Sequence, residues 1–525
     1  MPLFTWRVRR FPAYSGTLLP SRGTRTVSAR PFARNPQVGI SGMAVYLPPY
    51  RIDLGQWCAW TDNDPAKTRA VVGHAFRMPG PDQNVYTLAA NAVLRLVAQY
   101  DVDPRRVGYL AVGTESSIDN AAGAVIVRGL VDAALQADGK PALARDCEVP
   151  EFKHACLGGV YALKGGLRYL ACEGSGRAAI VVSADIAEYA RGSSGEPTQG
   201  AGAVAMLLES RPRLLELDLA TGGSASEYRG LDFRKPFLRF AGQTPGRHGR
   251  LADLPVFNGK YSTDCYTDAT LRALDAMFAK RDGARSARLR ELAAVFMHRP
   301  YHHMPRSALA MAWLAALGHD AADGDAAAAR EFAACCASAG VAGDEVLREW
   351  SNGTAGCPPD ALPPDAYPAA SWLVKAFRKG DAYRAHVEDK LRLGADAMME
   401  LGNLYTAALP AWLAAGLEDA ALADAGLEGR ELLLLGYGSG DAAEAIPARV
   451  APGWRAAARA IRFHDALAGA VDLDREQYAA LHDHGALDGL RGPASTGVVI
   501  DHVGACDENA FQDFGIAYYR YCGQP

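Results

Sequence analysis

Four residues at separate places in the sequence are candidates for one piece of chemistry. Cys156 stands in E-F-K-H-A-C-L-G-G, at the expected start of a helix. A thiol there feels the positive helix end, which favours the nucleophilic thiolate, and Gly158 and Gly159 let a substrate approach closely. Taken alone, a cysteine is more often a small core residue. The other nine of the ten cysteines are read that way. Glu115 ends an expected strand in G-T-E-S-S-I-D-N. A carboxyl at the dry end of a strand can act as a general base, although a turn residue capping the next helix would look the same. His298, in F-M-H-R-P-Y-H-H, can hydrogen-bond a carbonyl or move a proton. Asn403, in L-G-N-L-Y-T, is either a helix cap or a hydrogen-bond donor to a substrate. His302 and His303 follow His298 at a spacing that invites a metal. Pro300 and Pro305 are expected to break the helix such a pair needs, and no acidic third ligand stands nearby, so no metal site is expected.

These side chains need elements to hold them. Strands are expected at Val38–Leu47, Val107–Val112, Ala178–Ser183 and Gly200–Leu208, with helices at Asn84–Gln99, Ala121–Gln136 and Cys156–Cys172. Further on, a strand at Leu292–Met297 runs into His298, a helix covers Asn403–Leu417, and a strand at Leu432–Leu435 leads into G-Y-G-S-G at 436–440. Alternating strands and helices mean an α/β fold with a buried sheet. The order strand-Glu115, helix-Cys156, strand recurs as strand-His298, helix-Asn403, strand, which reads as a degenerate internal duplication. Two such halves would bring the Glu/Cys/His/Asn set to one central place. The division expected is an N-terminal half at 37–212 holding Glu115 and Cys156, a connecting region at 213–290, and a C-terminal half at 291–525 holding His298 and Asn403. A Pro-rich stretch at 353–368 reads as a surface insertion. Residues 1–36 hold seven arginines and no acid. They are read as a mis-assigned start or a disordered extension rather than a transit peptide, because helical amphipathicity is lacking.

Composition narrows the class. The chain has 525 residues and a formal charge of −4, which argues against nucleic-acid binding through bulk positive charge. Hydrophobic residues make up 49% and charged ones 22%, ordinary globular usage. No run approaches the roughly 18 continuous apolar residues of a membrane span. Ten cysteines without a C-x-x-C pair suit neither a disulfide scaffold nor a zinc ribbon, so a reducing, cytoplasmic setting is expected.

The motifs carry a resemblance. G-T-E-S-S-I-D at 113–119, A-C-L-G-G at 155–159, D-I-A-E-Y-A at 185–190 and P-T-Q-G-A-G-A-V-A-M-L at 197–207 are followed by N-G-K-Y-S at 258–262, H-R-P-Y at 298–301, G-N-L-Y-T at 402–406 and G-Y-G-S-G at 436–440. In this order they resemble the 3-hydroxy-3-methylglutaryl-CoA synthase family of the thiolase superfamily, over roughly residues 38–522. The resemblance implies a thiolase-like fold of two similar α/β halves in five αβαβα layers. It also implies an acyltransferase that condenses acetyl-CoA with acetoacetyl-CoA, feeding mevalonate and isoprenoid synthesis. Cys156 would carry the acetyl group, Glu115 would move the proton, and His298 would anchor and polarise the acetoacetyl group. Asn403 would help to hold it. Tyr189, Thr198, Gly200, Lys260, Ser262, Arg306, Gly438 and Ser439 would contribute to substrate binding, with backbone N–H groups at Cys156 and near Gly438–Ser439 forming an oxyanion hole. No metal and no cofactor are implied, and the expected assembly is a homodimer. The chain departs from the family in three ways. Arg306 stands where a lysine usually follows the H-x-P motif, Asn258 precedes Gly-Lys where an aspartate is usual, and the stretch from His298 to Asn403 is long. These bear on the acyl carrier and keep an acyl-carrier-protein-dependent synthase of polyketide β-branching as the alternative. A ketoacyl synthase III-like enzyme would lack Glu115, and a non-catalytic scaffold would not retain the Glu/Cys/His set.

Overall fold

Side chains of the central strands sort alternately into two cores. In the strand Val38–Tyr46, Met43 and Val45 enter one core and Ala44 and Tyr46 the other. Tyr109 and Ala111 oppose Leu110 and Val112 in Val107–Gly113, and Val181 opposes Ile180 and Val182 in Ala178–Ala187. Successive side chains on a strand point to opposite faces. A sheet covered on both faces therefore reads as an unbroken apolar run rather than an alternating one. The computed structural model describes residues 37–117, 122–232, 254–256, 258–354, 362, 364–487 and 496–525. Residues 1–36, and the expectation made for them, lie outside that set. Gln37–Pro525 is one compact unit.

The duplication is visible in the topology. Val107–Gly113 runs parallel to Ala178–Ala187, which pairs antiparallel with Gly200–Ser210. In the second half Ala294–Met297 runs parallel to Glu431–Gly438, which pairs antiparallel with Ala442–Val450. Each parallel pair is bridged by a helix, Gly158–Cys172 in the first half and Ala408–Leu422 in the second. Helices Val85–Gln99 and Gly123–Ala137 cover the outer face of the first set of strands. Gly158–Cys172 and Ala408–Leu422 form the middle layer, the latter touching strands of both halves. Gly259–Phe278 covers the far side, and His303–Ala322 packs against that helix. The result is five layers, α/β/α/β/α.

The region 213–290, expected to connect the halves, also builds the sheet. Its strand Leu215–Leu217 pairs with Val38–Tyr46 on one edge and Ala442–Val450 on the other, so the two sets of strands join in one ten-stranded sheet. The Pro-rich stretch 353–368 lies partly outside the described residues; Leu362, Pro364, Asp365 and Pro368 are exposed, but two of its side chains turn inward. Thr354 and Tyr367 are buried, and both hydroxyls donate to Asp268. Pro305 does not break a helix. It sits in the first turn of His303–Ala322, where a missing N–H costs nothing. The helix expected from Asn403 begins instead at Ala408 after a short 3-10 turn, Tyr405–Ala407, because the Asn403 side chain takes the Tyr405 N–H and Tyr405 adopts φ 45°.

Candidate active site

Cys156 lies at a sharp entry to the helix Gly158–Cys172. Ala155 before it has φ 39°, in the left-handed region, and the Leu157 N–H donates to the His154 carbonyl at 2.8 Å. The helix start presses on the end of the strand Val107–Gly113: a Cβ on Gly113 would lie 2.4 Å from the Gly159 nitrogen. Glycine at 113 is thus what lets strand and helix meet backbone to backbone. The Gly159 N–H donates to Thr406 Oγ1 at 2.5 Å, tying this helix to the other half.

Glu115 follows directly on that strand, and its Oε2 is 3.9 Å from Cys156 Sγ. Both residues are 8% exposed. The carboxylate of Asp185, fully buried in the strand Ala178–Ala187, fixes the Glu115 loop. Asp185 Oδ1 accepts from Thr114 Oγ1 at 2.9 Å, Glu115 N at 2.8 Å, Ser116 N at 3.0 Å and Ser116 Oγ at 2.7 Å. Its Oδ2 accepts from Thr406 N at 3.0 Å. Burial pushes the Asp185 carboxyl above its ordinary range, and these donors oppose that shift. Sequence reasoning quoted Asp185 within a motif but gave it no role. The signal was present: a lone acid inside A-A-I-V-V-S-A-D-I-A must find donors if that strand is buried on both faces.

His298 follows the strand Ala294–Met297 and is 2% exposed. Its N–H donates to the Leu435 carbonyl at 2.7 Å, and its carbonyl accepts from Tyr266 OH at 2.8 Å. Burial lowers the imidazole to about 3, so it is neutral at physiological pH. Its ring lies near-parallel to Tyr437, and its Nδ1 is buried without a hydrogen-bond partner among the described residues. A polar atom left that way costs about 1–3 kcal/mol, and a polar group of a bound substrate could satisfy it.

A cavity of about 310 Å³ reaches Cys156 and His298, and Glu115 is not part of its wall. Cys156, His298 and Asn403 line it, together with Tyr189, Thr198, Ser262 and Ser439. Tyr405, Tyr437, Tyr301 and Met304 also line it, and sequence reasoning had not singled them out. Tyr189 and Tyr405 meet edge-to-face at 6.2 Å and pack with Cys156, and burial pushes both phenols up, keeping them protonated. The Asn403 N–H donates to the Thr198 carbonyl at 2.9 Å.

Other expected binding residues sit elsewhere. Gly200 is off the cavity wall. A Cβ there would lie 2.5 Å from the Asn403 carbonyl oxygen, so glycine is needed for Asn403 to sit where it does. Gly438 backs the cysteine loop, where a Cβ would be 2.7 Å from the His154 oxygen. Lys260 is half-exposed and paired to Asp264 at 2.9 Å and Asp365 at 2.8 Å. Arg306 faces Glu388 at 3.9 Å and does not line the cavity. Among the described residues, the grouping with metal-ligand spacing is Asp232, Cys265 and Asp441, and Arg229 already bonds Asp441 there. No helix among the described residues is long and apolar enough to cross a membrane.

Residues 34–212 match the family model described as "Hydroxymethylglutaryl-coenzyme A synthase N terminal". A hydroxymethylglutaryl-CoA synthase of Haloferax volcanii is 27% identical over 451 residues, which is 85% of this chain and 91% of the relative. The solved structure of MvaS in complex with 3-hydroxy-3-methylglutaryl coenzyme A is similar with a TM-score of 0.69 and 26% identity, over 92% of this chain and 99% of that one. The HMG synthase of the curacin biosynthetic pathway has a TM-score of 0.65 at 19% identity, over 93% and 100% of the two chains, a likeness of fold alone. With its strand order, its paired halves and a carboxylate beside the cavity's cysteine, the chain is similar over most of its length to hydroxymethylglutaryl-CoA synthases, and its fold is thiolase-like.

Proposed function

We propose that this acyltransferase condenses acetyl-CoA with acetoacetyl-CoA to 3-hydroxy-3-methylglutaryl-CoA through an acetylated Cys156. The Cys156 thiolate attacks the acetyl thioester, and CoA leaves as its thiol. Glu115 takes a proton from the acetyl methyl, which the thioester has made acidic. The resulting carbanion attacks the ketone of acetoacetyl-CoA, and the proton returns to the new alkoxide. Water then hydrolyses the thioester to a free carboxylate and the Cys156 thiol. A neutral imidazole suits His298 to hydrogen-bonding the ketone rather than supplying a full proton, and Asn403 assists it. None of these steps calls for a metal or a redox cofactor.

The observation that carries the reading is Glu115 Oε2 at 3.9 Å from Cys156 Sγ, beside a cavity that His298 and Asn403 also line. A cytoplasmic homodimer acting in mevalonate and isoprenoid synthesis is proposed by likeness to the family. The test is a mass-spectrometric product assay with acetyl-CoA plus acetoacetyl-CoA, run beside acetoacetate loaded on an acyl carrier protein. The expected outcome is 3-hydroxy-3-methylglutaryl-CoA from the CoA pair and labelling of Cys156 by radiolabelled acetyl-CoA. Product only from the carrier protein would move the reading to the β-branching synthase. Label surviving Cys156→Ala would sink the acyl-enzyme.

A further inference from the structure

The turn that carries Gly438 and Ser439 is gripped from behind by a segment outside the catalytic set. The strand Gly223–Ser226 pairs with Ala442–Val450, and the pairing continues beyond it. The Asp441 N–H donates to the Glu227 carbonyl at 2.9 Å, the Glu227 N–H to the Asp441 carbonyl at 3.2 Å, and the Arg229 N–H to the Gly440 carbonyl at 3.0 Å. The side chains repeat the grip. Arg229 donates to Asp441 Oδ2 at 2.6 Å, to Glu227 at 2.8 Å, and to Asp268 on the helix Gly259–Phe278. The side chains of Arg229, Asp441 and Asp268 are 4%, 1% and 2% exposed. Asp232, on the same segment, accepts from Tyr437 OH at 2.8 Å and Gly440 N at 3.2 Å.

Burying an ion pair is a poor way to gain stability, since desolvation offsets most of the attraction. It is an effective way to fix geometry, because a guanidinium held by three carboxylates has few alternative positions. The part it fixes is the turn whose Ser439 shares the cavity wall with Cys156 and whose Gly438 packs on the cysteine loop. We infer that Arg229 and Asp441 are positioning residues: a buried clasp that holds the Gly438–Ser439 turn where it stabilises the oxyanion formed when Cys156 accepts an acyl group. This rests on the proposed acyl-transfer reading. Displacing an oxyanion donor by a fraction of an ångström weakens the transition state while leaving the thiol and ground-state binding intact.

The experiment uses the full chain with Arg229→Gln and, as a milder change of nearly the same shape, Asp441→Asn. Single-turnover transfer from radiolabelled acetyl-CoA to Cys156 is measured beside alkylation of Cys156 by iodoacetamide, which forms no oxyanion, and beside thermal melting. Each variant is expected to slow acetylation about 10- to 100-fold. The KM for acetyl-CoA should stay within about threefold and alkylation within about twofold. Arg229→Lys, which keeps the charge, should recover part of the rate. A folded Asp441→Asn that acetylates at the wild-type rate would overturn the proposal, as would acetylation and alkylation slowing together. If wild-type protein takes no label from acetyl-CoA, the acyl-transfer reading itself fails and the clasp's role falls with it; label on wild type with unchanged variants removes the clasp alone.

Discussion

Replacing His298 by glutamine should flatten the acid sensitivity of the fold. In the folded protein burial lowers the imidazole from its usual 6.5 to about 3, whereas the unfolded chain titrates near 6.5. Between those values the unfolded state binds one more proton than the folded one, so this contribution is present above pH 6.5 and is lost as pH falls. Each pH unit below 6.5 costs about 1.4 kcal/mol, so acidification to pH 5 removes about 2 kcal/mol. The figure hardly depends on the folded value, since the imidazole is already neutral at pH 5 whether it titrates at about 3 or a unit higher. His302 and His303, lowered to about 3 and about 4 by burial and nearby arginines, act in the same sense and remain in the variant. The difference between the two proteins therefore isolates His298. Urea unfolding at pH 7.5 and pH 5.0 is the assay, and wild type should lose about 2 kcal/mol more than His298→Gln over that interval. Equal losses would refute the account, because they would mean that the folded protein already carries an imidazolium. An acid limb in turnover near pH 6.5 that disappears in His298→Gln would refute it equally.

Glu115→Ala should still acetylate Cys156 yet slow condensation by about 10²- to 10⁴-fold, read by acetyl labelling against product formation; normal condensation would place the base elsewhere. Asp185→Asn exchanges an oxygen acceptor for an amide where only donors converge, so urea unfolding should report a loss of about 2–3 kcal/mol, with lower turnover in the folded fraction. Gly113→Ala puts a methyl 2.4 Å from the Gly159 nitrogen, and should cost about 1–3 kcal/mol in a melting assay while slowing acetylation. Lys260→Ala removes a half-exposed pair, with an expected cost below about 1 kcal/mol and no change in the KM for either acyl-CoA.

The residues that the fold brings together at the cavity were legible as candidates because their types are rare at such places. A cysteine before paired glycines, a glutamate closing a strand and a histidine closing another stand out against apolar runs. The element order was legible for a similar reason: strands buried on both faces leave runs such as A-A-I-V-V-S that no surface element tolerates. What stayed hidden depends on contacts between distant segments. Lys260 and Arg306 were assigned to substrate by their place in motifs, but a cation's partner is whichever acid the fold brings near. For Lys260 that includes Asp365, more than a hundred residues away. Thr354 and Tyr367 were lost inside a Pro-rich stretch whose composition says surface, although their hydroxyls are required by a buried Asp268. The extra strand pairing at Leu215–Leu217 escaped notice because three residues carry too little periodicity to declare a strand.

The two halves are locked together at the site itself, which explains why its residues can lie so far apart in sequence and still act as one. Asp185 holds the Glu115 backbone with one oxygen and the Thr406 backbone with the other, and Thr406 in turn holds the Gly159 N–H at the start of the cysteine helix. Glu115, the Cys156 helix and the Asn403 segment are thus referred to one buried carboxylate and one hydroxyl. A change that rotates one half on the other must break a charge-assisted hydrogen bond in the interior, worth about 1.5–3 kcal/mol, before it can separate Cys156 and Glu115 from the Asn403 segment. The Gly438–Ser439 turn is gripped separately, by Arg229 and Asp441 and by Asp232 at Gly440. On the proposed reading, acyl transfer and proton transfer therefore have separate mechanical supports. Perturbing the Asp185 hub should disturb both steps, while perturbing the clasp should disturb the acyl step first.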